Sequence, residues 1–130
     1  MKMRVVFDAS AVLALLFRES GSEIVERYVE SCEAMISAVN LSEVQAKQQE
    51  LQIPMEQTMK YLLLLGFEVV PFTAESAVKA AAMRNETKQL GLSFGDRACL
   101  SLGQQLECPV ITADRAWTTI NLGIEIIAIR

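Results

Sequence analysis

The stretch VVFDAS, Val5 to Ser10, decides the reading of this chain. Two β-branched residues and a phenylalanine run straight into an aspartate, and AVLALLF, Ala11 to Phe17, is apolar again. A continuous apolar run of this length reads as a strand buried on both faces, and the segment after it as a helix. A carboxylate between two segments bound for a core costs free energy unless something pairs with it. The question is what Asp8 is for.

Working outward, short apolar runs alternate with amphipathic segments. Strands are expected at Met3–Phe7, Ala34–Ser37, Phe67–Pro71, Pro109–Thr112 and Ile124–Ile129. Helices are expected at Ala9–Phe17, Ser22–Ser31, Val39–Leu51, Met55–Leu65, Ala74–Gln89 and Phe94–Leu106. Gly21, Gly66 and Gly91 punctuate them, and Pro54 separates the third helix from the fourth. Strands alternating with helices predict an α/β fold with a mostly parallel five-stranded sheet and helices on both faces. The helix pair around Pro54 reads as an inserted helical hairpin. No repeat, low-complexity tract or linker interrupts the chain, so residues 1–130 are read as one domain.

Composition narrows the function. The chain is 52% hydrophobic and 22% charged, which describes a folded globule. Its longest apolar run is the seven residues Ala11 to Phe17, against the ~20 needed to span a bilayer. No secretory signal precedes the first acid, so a cytoplasmic protein with no membrane role is expected. Cys32, Cys99 and Cys108 show no C-x-x-C spacing and read as free buried thiols rather than a disulfide framework or zinc site. There is no histidine, which removes the commonest general base and the Ser-His-Asp triad. The net charge of −4 makes the whole surface no electrostatic magnet for nucleic acid.

The sixteen acids include only three aspartates: Asp8, Asp96 and Asp114. Asp8 follows the first expected strand, Asp114 lies two residues past the fourth, and Asp96 opens a helix in SFGDRACL. Glu43, in VNLSEV, begins the helix after the second strand. Open parallel sheets bind ligands beyond the carboxyl ends of their strands, so these acids are candidates to face one crevice. Each also has a plain structural reading. Asp8 and Asp114 suit helix N-caps, and Ser93-x-x-Asp96 and Asn40-x-x-Glu43 both fit capping boxes. Carboxylates crowded into one crevice repel, so one must hold its proton or a cation must bind. Oxygen ligands select Mg²⁺ or Mn²⁺, which suits phosphodiester chemistry without histidine. Ser10 and Thr112 can reach the same crevice, and Arg97 and Arg115 each follow an acid and could clamp a phosphate.

VVFDASAVLALLFRE, VNLSEV, LGLSFGDRACLSLG and VITADRAW, in this order, resemble the PIN-domain ribonucleases, and among them the VapC-type toxins of toxin–antitoxin pairs. The resemblance covers essentially the whole chain, and four motifs in order are far more specific than any one. It implies a three-layer α/β/α PIN-like domain. It implies an Mg²⁺- or Mn²⁺-dependent endoribonuclease acting on single-stranded or loop RNA. Asp8, Glu43, Asp96 and Asp114 would be the catalytic, metal-holding set, supported by Ser10, Thr112 and Arg97. A water would attack the scissile phosphate in line, leaving a 5′-phosphate and a 3′-hydroxyl. The resemblance also implies a homodimer and a small cognate antitoxin whose C-terminal segment covers the acidic crevice.

Other readings fare less well. A phosphoacceptor receiver domain needs an acid after a middle strand and a lysine after a late one; here the third strand ends VVPF and the fourth TADR. A haloacid-dehalogenase-type phosphatase needs a second aspartate where Ser10 stands. A catalytically inactive PIN-like module that only binds RNA or protein is the remaining alternative. In the hairpin, Met55, Met59, Leu62 and Leu63 form an apolar stripe that is either core or a groove for an antitoxin or dimer partner. Burial within the single chain would remove the partner reading.

Overall fold

The computed structural model describes residues 2–130. Five strands form one sheet: β1 (Arg4–Phe7), β2 (Glu33–Ser37), β3 (Glu68–Val70), β4 (Val110–Thr112) and β5 (Ile126–Ala128). Their order is β3-β2-β1-β4-β5, and every pairing is parallel. VVF therefore forms the central strand. Side chains alternate across a strand, so consecutive residues enter different layers. Val5 and Phe7 of β1, Ile36 of β2 and Ile111 of β4 join one core. Val6, Met35 and Val110 join the other. A strand buried on both faces has no polar face to show, hence the unbroken apolar run.

The first core is covered by α1 (Ala9–Phe17), α2 (Ser22–Ser31), α3 (Ala38–Glu50) and α4 (Met55–Leu64). It takes Ala11, Val12, Val25, Val44 and Leu62 from them. The second core is covered by α5 (Ala74–Ala82) and α7 (Phe94–Leu106), with α6 (Arg84–Thr87) between them. It takes Met83, Cys99, Leu100 and Leu102, closed by Trp117 from the 3₁₀ turn Arg115–Thr119. The result is the three-layer α/β/α arrangement with the α3–α4 hairpin.

Gly21 shows why a break is needed after α1. Arg18 ends that helix in the left-handed region, and Gly21, at φ 94°, opens α2 directly against Ile129. A Cβ on Gly21 would lie 2.5 Å from the Ile129 carbonyl oxygen, so only glycine lets the α1–α2 corner pack on the last strand's exit.

Three sequence expectations change. The segment Ala74–Gln89 is not one helix. It breaks at Met83 and ends in a 3₁₀ turn, Lys88–Leu90, before left-handed Gly91. Met83, at the break, turns into the core, and the Thr87 N–H and Oγ1 both donate to its carbonyl, at 3.1 and 3.0 Å. Asn40 and Glu43 do not cap a helix. Ser37, the last residue of β2, caps α3 by accepting from the Val39 N–H at 3.2 Å, so the pair lies inside the helix. Cys32 is only half-buried, although Cys99 and Cys108 are buried and all three thiols are free. No helix among the described residues is long and apolar enough to cross a membrane.

Candidate metal-binding active site

The strand order reverses between β1 and β4, the two strands that carry Asp8 and Asp114 past their carboxyl ends. Asp8 is 5% exposed. One carboxylate oxygen, Oδ1, accepts from the Ala11 N–H at 2.8 Å and so caps α1. The other, Oδ2, accepts from Thr112 Oγ1 at 2.6 Å, and Ser10 Oγ lies within 2.8 Å of both. The capping and functional readings of Asp8 are thus both satisfied by one side chain. Thr112 is held by the Asp114 N–H at 3.0 Å, and Ser10 by the Ala113 N–H at 2.9 Å. Both hydroxyls therefore tie β1 to the exit of β4 and aim their protons at Asp8.

Burial pushes the Asp8 carboxyl up from 3.8 to about 6. The hydrogen bonds from Thr112, Ala11 and Ser10 hold it down, and the charge of Asp96 adds to the rise. No cation partner compensates: among the described residues none of Asp8, Glu43, Asp96 or Asp114 forms an ion pair.

Asp8, Glu43 and Asp96 line one open cavity of about 490 Å³, with Ser10 and Asn40 in its wall and Lys47 and Glu50 on its far side. Lys47 is turned to Glu50 at 3.5 Å. The buried Cys99 thiol registers the same convergence. Its proton is held far more tightly than usual by burial, and then by the charges of Asp8, Asp96 and Glu43 together. Asp96 sits in the first turn of α7, where it completes a capping box: its Oδ2 accepts from the Ser93 N–H at 2.9 Å, and Ser93 Oγ accepts from its own N–H at 3.2 Å. Glu43 is exposed on α3, its Oε1 accepting from Asn40 Nδ2 at 2.8 Å.

Asp114 stands apart. It is exposed, does not line the cavity, and its Oδ1 accepts from the Ala116 N–H at 3.1 Å to cap the 3₁₀ turn. Its link to the site runs through its backbone N–H to Thr112, and on to Asp8. Arg97 is also turned away, with Nη1 donating to the Ala80 carbonyl on α5 at 3.1 Å. Arg115 donates to the Arg130 carbonyl at 3.1 Å. Both guanidiniums are thus engaged by backbone carbonyls.

Sequence reasoning missed Asn40 as a wall of the site, along with Lys47 and Glu50. The signal was present: 40, 43, 47 and 50 are one stripe of a helix. Gly95 was missed too. A Cβ there would collide with the Glu43 carboxylate, so glycine is what lets α3 bring its acid against α7.

The donor set fits a hard divalent cation: the carboxylates of Asp8, Glu43, Asp96 and Glu50 line the cavity, and no imidazole or thiol is among its lining side chains. Among the described residues, no three acids are gathered tightly enough to cage an ion by themselves. Mg²⁺ and Mn²⁺ keep several waters and take only one or two carboxylates directly, so binding them does not require such a cage.

The parallel sheet with an acidic cavity beyond the strand ends at its switch point defines an α/β protein of the open-sheet class. Within that class, the PIN-domain family model matches residues 5–121, and this chain belongs to the PIN-domain family. The fold is shared with a toxin–antitoxin complex from Klebsiella pneumoniae, at 22% identity and a TM-score of 0.71, covering 97% of this chain and 98% of that one. It is shared with VapBC2 from Rickettsia felis bound to a promoter DNA fragment, at 20% identity and a TM-score of 0.72, covering 95% and 98%. It is also shared with VapC20 of Mycobacterium tuberculosis, described as a sarcin-ricin loop cleaving toxin, at 15% identity and a TM-score of 0.71, covering 90% and 96%. No curated protein matches the sequence.

Proposed function

We propose that this chain is a divalent-metal-dependent endoribonuclease, the toxin of a toxin–antitoxin pair. The observation that carries the reading is the Asp8 carboxylate. It is buried, bonded only to neutral donors, and shares one cavity with Glu43 and Asp96. Such a group gains nothing for the fold by staying charged, and gains a partner if a cation binds. A bound Mg²⁺ or Mn²⁺ would supply positive charge to the phosphate and acidify a water beside it. Asp8, Glu43 and Asp96 would hold the cation. Ser10 and Thr112 fix the Asp8 oxygens, and Asp114 would act from outside, through Thr112 or through water. Attack in line on the phosphate would release the 3′-oxygen and leave a 5′-phosphate. The related toxin described as cleaving the sarcin-ricin loop supports RNA as the substrate class.

The deciding experiment incubates the purified chain with an unpaired RNA in Mg²⁺ or Mn²⁺, then with EDTA. Cleavage that requires the metal and leaves 5′-phosphates is expected. Retention of RNA without cleavage would favour the binding-only module.

The hairpin supplies a partner surface. Leu62 is buried at 1% exposure and belongs to the core, whereas Met55, Leu63 and Leu64 are 47%, 58% and 76% exposed. With Met59 they line an apolar groove on α4. We assign it to the antitoxin, because structural relatives were solved as toxin–antitoxin complexes. An amphipathic segment laid in such a groove gains affinity from a few buried anchors. Leu64→Lys is expected to weaken binding of a cognate antitoxin by about tenfold or more, with free-chain cleavage unchanged. Titration of the two proteins reads the first effect. A shift of the free chain's mass in light scattering would instead give the groove to a second copy, as in a homodimer.

A further inference from the structure

Asn40 lies in the first turn of α3, 1% exposed, in the wall of the acid cavity. Its Nδ2 donates to Glu43 Oε1 at 2.8 Å and to the Gly95 carbonyl at 3.0 Å. One amide nitrogen thus bridges two helices and spends both protons. Its Oδ1 is buried with no partner. The opposite amide orientation would aim that oxygen at a carboxylate and a carbonyl, so the orientation is fixed by its partners. An unsatisfied buried oxygen is a penalty the fold carries to keep the donors where they are.

Those donors act on an acid that has reason to leave. Glu43 is exposed, its side chain is long, and Asp8 and Asp96 bear the same charge beside it. Free of restraint, it would turn to water, away from both. Gly95 supplies the other half of the seat, since any Cβ there would occupy the volume of the carboxylate. An amide is also the right donor chemically. Lysine or arginine would hold the carboxylate more firmly but cancel the charge that a cation needs.

We infer that Asn40 is a positioning residue, which with Gly95 seats the Glu43 carboxylate beside Asp96 so that the cavity binds a divalent cation. The inference rests on the metal-dependent reading of the site given above.

The test is a calorimetric titration of the purified full chain with Mn²⁺ alone, with thermal melting to confirm folding. Asn40→Ala and Gly95→Ala are each expected to lower Mn²⁺ affinity about tenfold, the range of groups that orient a ligand. In a Glu43→Ala background neither should lower it further, because both act through that carboxylate. A purely structural role would not produce this dependence. If Asn40→Ala fails to fold, Gly95→Ala in the two backgrounds carries the test. Unchanged Mn²⁺ affinity in folded variants, or losses that persist in full without Glu43, would overturn the inference while leaving the site intact. A folded wild-type chain that does not bind Mn²⁺ would remove the metal site itself, and this inference with it.

Discussion

Asp8→Asn and Asp96→Asn are each expected to reduce RNA cleavage by on the order of 10²- to 10³-fold, the loss of several kcal/mol of charge stabilisation at the phosphate. The two should part in stability. Asp8→Asn removes a buried charge while keeping a side chain of the same shape. Its Oδ1 can still accept from Ala11, and the Ser10 and Thr112 hydroxyls can turn to accept its N–H₂. The folded chain should therefore gain about 1–3 kcal/mol at neutral pH without divalent ions. Asp96→Asn keeps an oxygen for the Ser93 N–H and loses only the charge at the helix N-terminus, so it should melt within about 1 kcal/mol of wild type or slightly lower. Initial rates on a labelled RNA and denaturant melts measure both. Wild-type-like cleavage by Asp96→Asn would remove the site assignment.

The second large effect is in pH. The Asp8 carboxyl is held at about 6 in the fold against 3.8 in the unfolded chain. Below about pH 4 both states carry the proton and burial of Asp8 brings no charge penalty. Between about pH 4 and 6 the unfolded chain ionises while the folded chain keeps its proton. The folded state then binds more protons, and stability must fall as pH rises. The total fall is about 3 kcal/mol, complete above about pH 6. The difference between wild type and Asp8→Asn, followed by melts across this range, isolates that slope from the other acids. Saturating Mn²⁺ should flatten it, because a cation favours the ionised carboxylate in the folded state and stabilises by mass action. For the same reason Mn²⁺ affinity should weaken as pH drops through 6. A wild-type slope identical to that of Asp8→Asn would show that Asp8 is not buried as a charge.

Sequence by itself determined the order of strands and helices and the parallel sheet, because period and punctuation are local. VVF reads as a doubly buried strand from its own residues, and several helices start at a residue that caps them, as at Asp8 and Ser93. It also singled out the acids, because three aspartates at strand exits and helix starts are few enough to notice. Acid placement followed from topology: a carboxylate after a parallel strand is delivered to the carboxyl edge whatever its distant partners. Smaller features escaped. The break at Met83 sets that side chain in the core, against an alanine-rich segment whose propensity favours one continuous helix. The capping-box pattern at Asn40-x-x-Glu43 was real as a contact but wrong as a cap, because Ser37 had already opened the helix.

Only the tertiary structure decided which acids share a cavity. It brought Asp8, Glu43 and Asp96 to one space and left Asp114 at its margin, connected through Thr112. It also separated Leu62 from Leu63, members of one expected stripe, into core and surface. Both distinctions depend on how far one helix stands from another. That distance is set by contacts between residues remote in sequence, such as Asn40 of α3 donating to the Gly95 carbonyl of α7, and no local pattern encodes it.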